Sequence, residues 1–128
     1  MIATGAHYEV IQAENSSRTY TKVLETLAVV AADGYRPLAE VLVAESRRFN
    51  RNSSMIVITS STDPSWIDAL SLITSRRVQA SIVHVIRSSF DGSLPVNEIS
   101  ERLTNARVRS YELRYGDLLA NALRSTLG

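Results

Sequence analysis

The chain reads as an α/β protein with a parallel sheet, and two observations carry that reading. From residue 55 to the end, apolar strand-like runs alternate with helix-like segments in the order strand–helix–strand–helix–strand–helix. That alternation is the pattern of a parallel sheet covered by crossover helices. In addition, Met55 to Ile58 is continuously apolar, which predicts a strand covered on both faces.

The elements follow in order. "MIATG" predicts the end of one strand, turning at Gly5 into a hairpin with "AHYEVIQA" (6–13). The latter alternates loosely, with Tyr8 and Val10 on one side, and predicts a strand exposed on one face. Residues 17–33 predict a helix, because Tyr20, Val23, Leu24, Leu27, Val30 and Ala31 recur at three- and four-residue spacing. Gly34 suits the left-handed position past its end, and Pro37 suits the first turn of a helix over 37–49. There Leu38, Val41, Leu42 and Phe49 are expected inward, with Glu45, Arg47 and Arg48 outward.

Asp63-Pro64 is a strong helix start, a capping carboxylate followed by a proline at the first helical position. The helix it opens, 64–76, is expected to bury Trp66, Ile67, Leu70 and Ile73, and Arg76 and Arg77 suit the negative end of its dipole. "QASIVHVI" (79–86) is a second strand rich in β-branched residues. "SSFDGSLP" (88–95) predicts a loop with an Asp-Gly turn. Residues 95–105 predict a helix with Val96, Ile99 and Leu103 inward. "RVRSYELR" (107–114) is more polar, as at a sheet edge. Asp117 is expected to cap a last helix carrying Leu118, Leu119, Ala122 and Leu123.

Composition bounds the function. The 128 residues suffice for one domain, 1–128, with a real core. Fourteen Lys and Arg against thirteen Asp and Glu leave a net charge of +1, without the basic excess a nucleic-acid partner requires. The chain has no Cys, which removes disulfides, thiol catalysis and cysteine metal sites and fits a cytoplasmic location. No apolar run approaches the ~20 residues of a membrane helix, and "MIATGAHYEV" lacks the pattern of a signal peptide.

Ligands of open parallel sheets bind beyond the carboxyl ends of the strands. Three such ends are expected: Thr59 to Asp63, Arg87 to Asp91, and Arg114 to Asp117. The first has one carboxylate, Asp63, among the hydroxyls of Thr59, Ser60, Ser61 and Thr62. A hard cation usually takes more than one carboxylate, so the plainer role is helix capping and turn formation. No glycine-rich phosphate loop and no Gly-x-Ser-x-Gly elbow occurs. His84, inside an apolar strand, is expected to be a packed or edge residue, and His7 to be solvated. Trp66 is expected in the core.

"LETLA", "SSMIVITSS", "WIDALSLITSRRV" and "YGDLLANAL" together resemble a known family. This is the second half of the von Willebrand factor A-like domain in bacterial proteins of domain-of-unknown-function family fifty-eight. The resemblance runs from about residue 16 to the C-terminus. It implies a doubly wound, mostly parallel Rossmann-like sheet with helices on both faces, and often a divalent metal such as magnesium at the top of the sheet.

The family's metal motif has three parts. Its Asp-x-Ser-x-Ser is absent from this chain, and Arg36 or Pro37 stands where its threonine would fall. Only Asp63 or Thr62 matches its third part. The resemblance places "MIATG" at the second strand, so the central first strand is missing and magnesium would need upstream ligands. An unpaired inner edge predicts closure of the gap or pairing with another chain, and a homodimer is expected.

The functional expectation is a non-enzymatic protein-interaction domain. The resemblance implies a MoxR-type AAA+ ATPase as partner. The alternative is a small-molecule or nucleotide-binding module, hydrolytic or not, using Ser60, Ser61 and Asp63 with the loop 87–93.

Overall fold

A computed structural model gives the fold and describes residues 2–4, 8–10, 16–29, 34–92, 98–124 and 126–127. The chain divides into two compact units, Met1–Pro37 and Leu38–Gly128.

In the first unit, β1 (Ile2–Thr4) and β2 (Tyr8–Val10) form an antiparallel hairpin with Ile2 opposite Val10 and Thr4 opposite Tyr8. This is the hairpin that "MIATG" predicts; Gly5 itself lies outside the described residues. Helix α1 (Ser17–Val29) follows. It is capped by Ser16, whose hydroxyl accepts the Thr19 N–H at 3.2 Å. No residue of α1 is buried, so Tyr20, Leu24 and Leu27 form an apolar stripe turned to solvent. Val30, Ala31 and the expected continuation to residue 33 lie outside the described residues, immediately before Gly34.

The second unit is the α/β, Rossmann-like part. Helix α2 (Leu38–Glu45) continues as one turn of 3₁₀ helix, Ser46–Arg48. Then come β3 (Ser54–Thr59), α3 (Ser65–Thr74), β4 (Gln79–Val85), α4 (Ser88–Asp91), α5 (Glu98–Asn105), β5 (Arg109–Leu113), α6 (Leu119–Ala122) and β6 (Thr126–Leu127). Strands β3, β4 and β5 are parallel and adjacent in chain order, and β6 adds antiparallel to β5.

The register sorts the strands into two faces. Met55 pairs with Ala80, Val57 with Ile82, and Ile82 with Ser110. That face carries the core. Met55, Val57 and Ile82 pack with Leu42 of α2, with Trp66, Ile67, Leu70 and Ile73 of α3, and with Ile99 and Leu103 of α5. Leu70, Ile82, Ile99 and Leu103 are fully buried. At ~25 cal/mol per Å² of apolar surface removed from water, such a cluster dominates the favourable side of folding. Among the described residues, no helix is long and apolar enough to cross a membrane.

The turns that return each helix to the sheet share a device. α3 ends on "TSRRV" and α5 on "TNARV", and in both the arginine is left-handed: Arg77 at φ 67° and Arg107 at φ 54°. Each donates its N–H to the threonine carbonyl three residues back, at 3.0 and 3.1 Å. The valine after it enters the core, Val78 buried and Val108 packed against it. This short internal repeat is absent from the reading of the sequence, since it is a match of conformation more than of composition.

Several expectations are corrected. β3 is not covered on both faces: Met55 and Val57 are buried, while Ile56 and Ile58 are 70% and 71% exposed. A continuous apolar run fixes strand character, not the number of covered faces. Glu45 does not face outward but is buried, ion-paired with Arg48 one turn on. β5 is not the sheet edge, because β6 pairs with Ser110 and Tyr111. Residues 88–91 are not loop but a short helix, closed by Gly92 at φ 70° with its N–H on the Ser88 carbonyl. Val96 lies outside the described residues.

Two outcomes follow for stability, both read from urea midpoints at constant slope. Leu70→Ala should cost about 2–5 kcal/mol, and Ile58→Ala less than about 0.5 kcal/mol. Arg77→Gly and Arg107→Gly should each add about 0.5–1 kcal/mol, because glycine adopts the left-handed conformation without a Cβ clash.

Candidate functional site

The carboxyl ends of β3, β4 and β5 bring three polar segments to one end of the sheet. The first, after β3, is a ladder of side-chain-to-backbone bonds at two-residue steps. Thr59 Oγ1 accepts the Ser61 N–H at 3.1 Å. Ser61 Oγ accepts the Asp63 N–H at 3.3 Å. Asp63 Oδ1 accepts the Ser65 N–H at 3.0 Å. Each oxygen satisfies a backbone donor that the turning chain would otherwise leave open. The last step lowers the Asp63 carboxyl below its ordinary range, through the Ser65 backbone and then the Ser65 hydroxyl.

Asp63 therefore starts α3 as an Asx turn, with Pro64 leading into the first turn. Helix α3 begins one residue later than the sequence predicts, within the usual latitude of helix ends. Thr62 and Asp63, the positions matching the third part of the metal motif, are both exposed. Among the described residues no three His, Asp or Glu side chains come together to hold a metal.

The second and third segments are fastened to each other. Ile86 extends the β4–β5 ladder by donating its N–H to the Leu113 carbonyl at 2.8 Å. Ser89 Oγ donates to the Ile86 carbonyl at 2.6 Å and accepts the Tyr115 N–H at 2.9 Å. Phe90 meets Tyr115 edge to face, centroids 5.7 Å apart. Arg87 pairs with Asp91 at 3.2 Å within α4. Asp117 does not cap α6; its Oδ2 accepts the Arg114 N–H at 2.7 Å and closes the turn after β5, with Gly116 at φ 84°. Helix α6 spans only Leu119–Ala122, and Leu118, Leu119 and Leu123 are exposed.

Beneath these loops, on the core face, lies a pairing the sequence reading does not contain. His84 stands in register between Thr59 of β3 and Glu112 of β5. His84 is only 3% exposed, and neither ring nitrogen makes a hydrogen bond of good geometry among the described residues, although the Ser61 main chain lies close enough to act on the ring. Glu112 is held by the Ser100 hydroxyl at 2.5 Å and by an ion pair with Arg114. Burial depresses the His84 pKa, against the pull of the Ser61 main chain and the Glu112 carboxylate. The ring is thus neutral, and it is packed, one of the two settings expected for it. The indole N–H of Trp66, buried in the first turn of α3, likewise has no partner among the described residues. A signal for the His84–Glu112 pairing exists in the sequence: each is the last residue but one of its parallel strand.

Chemically, the arrangement supplies turns, caps and a neutral buried imidazole. Ser60 is exposed, and the Ser61 hydroxyl accepts the Asp63 N–H, while its main chain lies beside His84. No protein-family model, curated protein or solved structure matches this chain.

His84 sets a pH dependence. Its folded pKa lies below its ordinary value of 6.5, so the unfolded chain takes up the proton first as pH falls. Stability is full above about pH 6.5, falls below it, and levels off once the lowered folded pKa is passed. Urea midpoints should decline as pH falls below about 6.5. His84→Asn should flatten that decline; an unchanged decline in the variant would assign it to other groups.

Proposed function

We propose that this chain is a non-enzymatic protein-interaction domain, related to the von Willebrand factor A-like domains it resembles, that receives a polypeptide along β3. One observation carries the reading. β3 pairs with β4 alone among the described residues, and its open face shows Ile56 and Ile58 at 70% and 71% exposure. Edge strands are ordinarily protected by charge, proline, brevity or a bulge. "SMIVIT" has no charge and no proline, and it runs for six residues. An added strand would take up its open backbone groups and flank both isoleucines, the mode known as strand addition.

The resemblance supplies the class of partner, a MoxR-type AAA+ ATPase, and the absence of Cys agrees with a cytoplasmic setting. A second reading, a small-molecule or nucleotide site at loop 59–63, has one observation in its favour. The nitrogens of His84 and Trp66, without a hydrogen bond of good geometry among the described residues, lie at the carboxyl end of the sheet, where α/β proteins bind ligands.

The experiment is twofold. Fluorescence anisotropy of the labelled chain should show saturable binding to a purified MoxR-type ATPase, lost in Ile56→Lys/Ile58→Lys. Thermal-shift titration with ATP, GTP and magnesium should leave the melting temperature unchanged. A metal- or nucleotide-dependent shift that Asp63→Ala abolishes would instead establish the second reading.

A further inference from the structure

The polypeptide that β3 receives can be specified further, on the strand-addition reading just given. We propose that in the protein without its ATPase this polypeptide is the β3 of a second copy of this chain, added antiparallel about a two-fold axis through Val57, so that the two occupants take the same edge in turn. An edge offered by one copy is offered by both, and a two-fold makes the contact self-satisfying and closed.

The side chains suit this register. With Val57 on the axis, Ile56 of one copy stands opposite Ile58 of the other, and Ile58 opposite Ile56. A two-fold normal to the sheet keeps the faces matched, so four isoleucines that are singly exposed meet in one row. Met55 stands opposite Thr59, and Ser54 opposite Ser60. No charged residue falls between Asn52 and Thr62, so no like charges face each other along the paired segment. Apolar β-branched pairs across strands are favourable contacts.

Charge at the two ends of β3 selects the direction. Arg51, in the turn leading into the strand, is exposed, and so is Asp63, four residues past its end. Counted from Val57, each lies six residues away on opposite sides. Antiparallel addition brings the arginine end of one strand beside the aspartate end of the other, twice over. Parallel addition would set arginine beside arginine. The Asp63 carboxyl, lowered by its bonds to Ser65, holds its charge throughout the neutral range. The antiparallel ladder is also slightly the more stable per residue.

Sedimentation equilibrium of the full chain over low to high micromolar concentrations tests the proposal. The expected result is a reversible dimer that becomes monomeric in Ile56→Lys/Ile58→Lys, with circular dichroism retained and the urea midpoint unchanged when both are compared at a concentration where the native chain is itself monomeric. Arg51→Glu should weaken the dimer roughly five-fold through two symmetric pairs, and adding Asp63→Asn should recover most of that loss. Because the chain has no Cys, Ile56→Cys/Ile58→Cys should cross-link on oxidation while either single substitution does not.

A native chain that is monomeric throughout overturns the proposal, as does a dimer indifferent to the lysine pair or to Arg51→Glu. Cross-linking by either single cysteine overturns the Val57 register. A monomer whose ATPase binding is nevertheless lost in the lysine variant would overturn the second copy and leave strand addition standing. Loss of neither dimer nor ATPase binding in that variant would remove both.

Discussion

The second unit depends on one contact, the packing of α3 and α5 against the near face of the β3–β4–β5 ladder. Leu70, Ile82, Ile99 and Leu103 are sealed there. Three parallel strands in chain order require crossovers, and crossovers of one hand place their helices on the same side. The core therefore grows on that side. Leu42 of α2 completes it next to α3. Within this unit, the far face of the edge strand receives no such cover from the described residues. The exposure of Ile56 and Ile58 is thus a consequence of topology, and the interaction function proposed for this chain rests on that consequence.

A second constraint governs the polar end of the sheet. A strand that stops and reverses into a helix leaves backbone donors without partners. Here they are met by the side chains of Thr59, Ser61 and Asp63, each reaching two residues along. Asp117 serves the same purpose after β5. The loops that looked richest in chemistry are occupied by local structure.

The left-handed arginines show a related compromise. Arg77 and Arg107 each sit where glycine is the unstrained choice, yet both turns carry arginine followed by a core valine. Such a turn is invisible to propensity, because arginine is an ordinary helix-end residue and its conformation is imposed by the strand that follows.

The sequence by itself determined the alternation of elements, the parallel character of three strands, and the inward residues of α3 and α5, because local periodicity and capping chemistry are written in neighbouring residues. Trp66, Ile67, Leu70, Ile73, Ile99 and Leu103 are inward as their spacing dictates. It also contained the start of α3 at Asp63-Pro64. Only the tertiary structure decided which faces are covered. It buried Glu45 beside Arg48, stripped cover from Ile56 and Ile58, paired β6 onto β5, and set His84 beside Glu112. Those outcomes depend on which distant segments pack together, and an apolar or charged residue has the same letter in the chain whether a neighbour arrives or not.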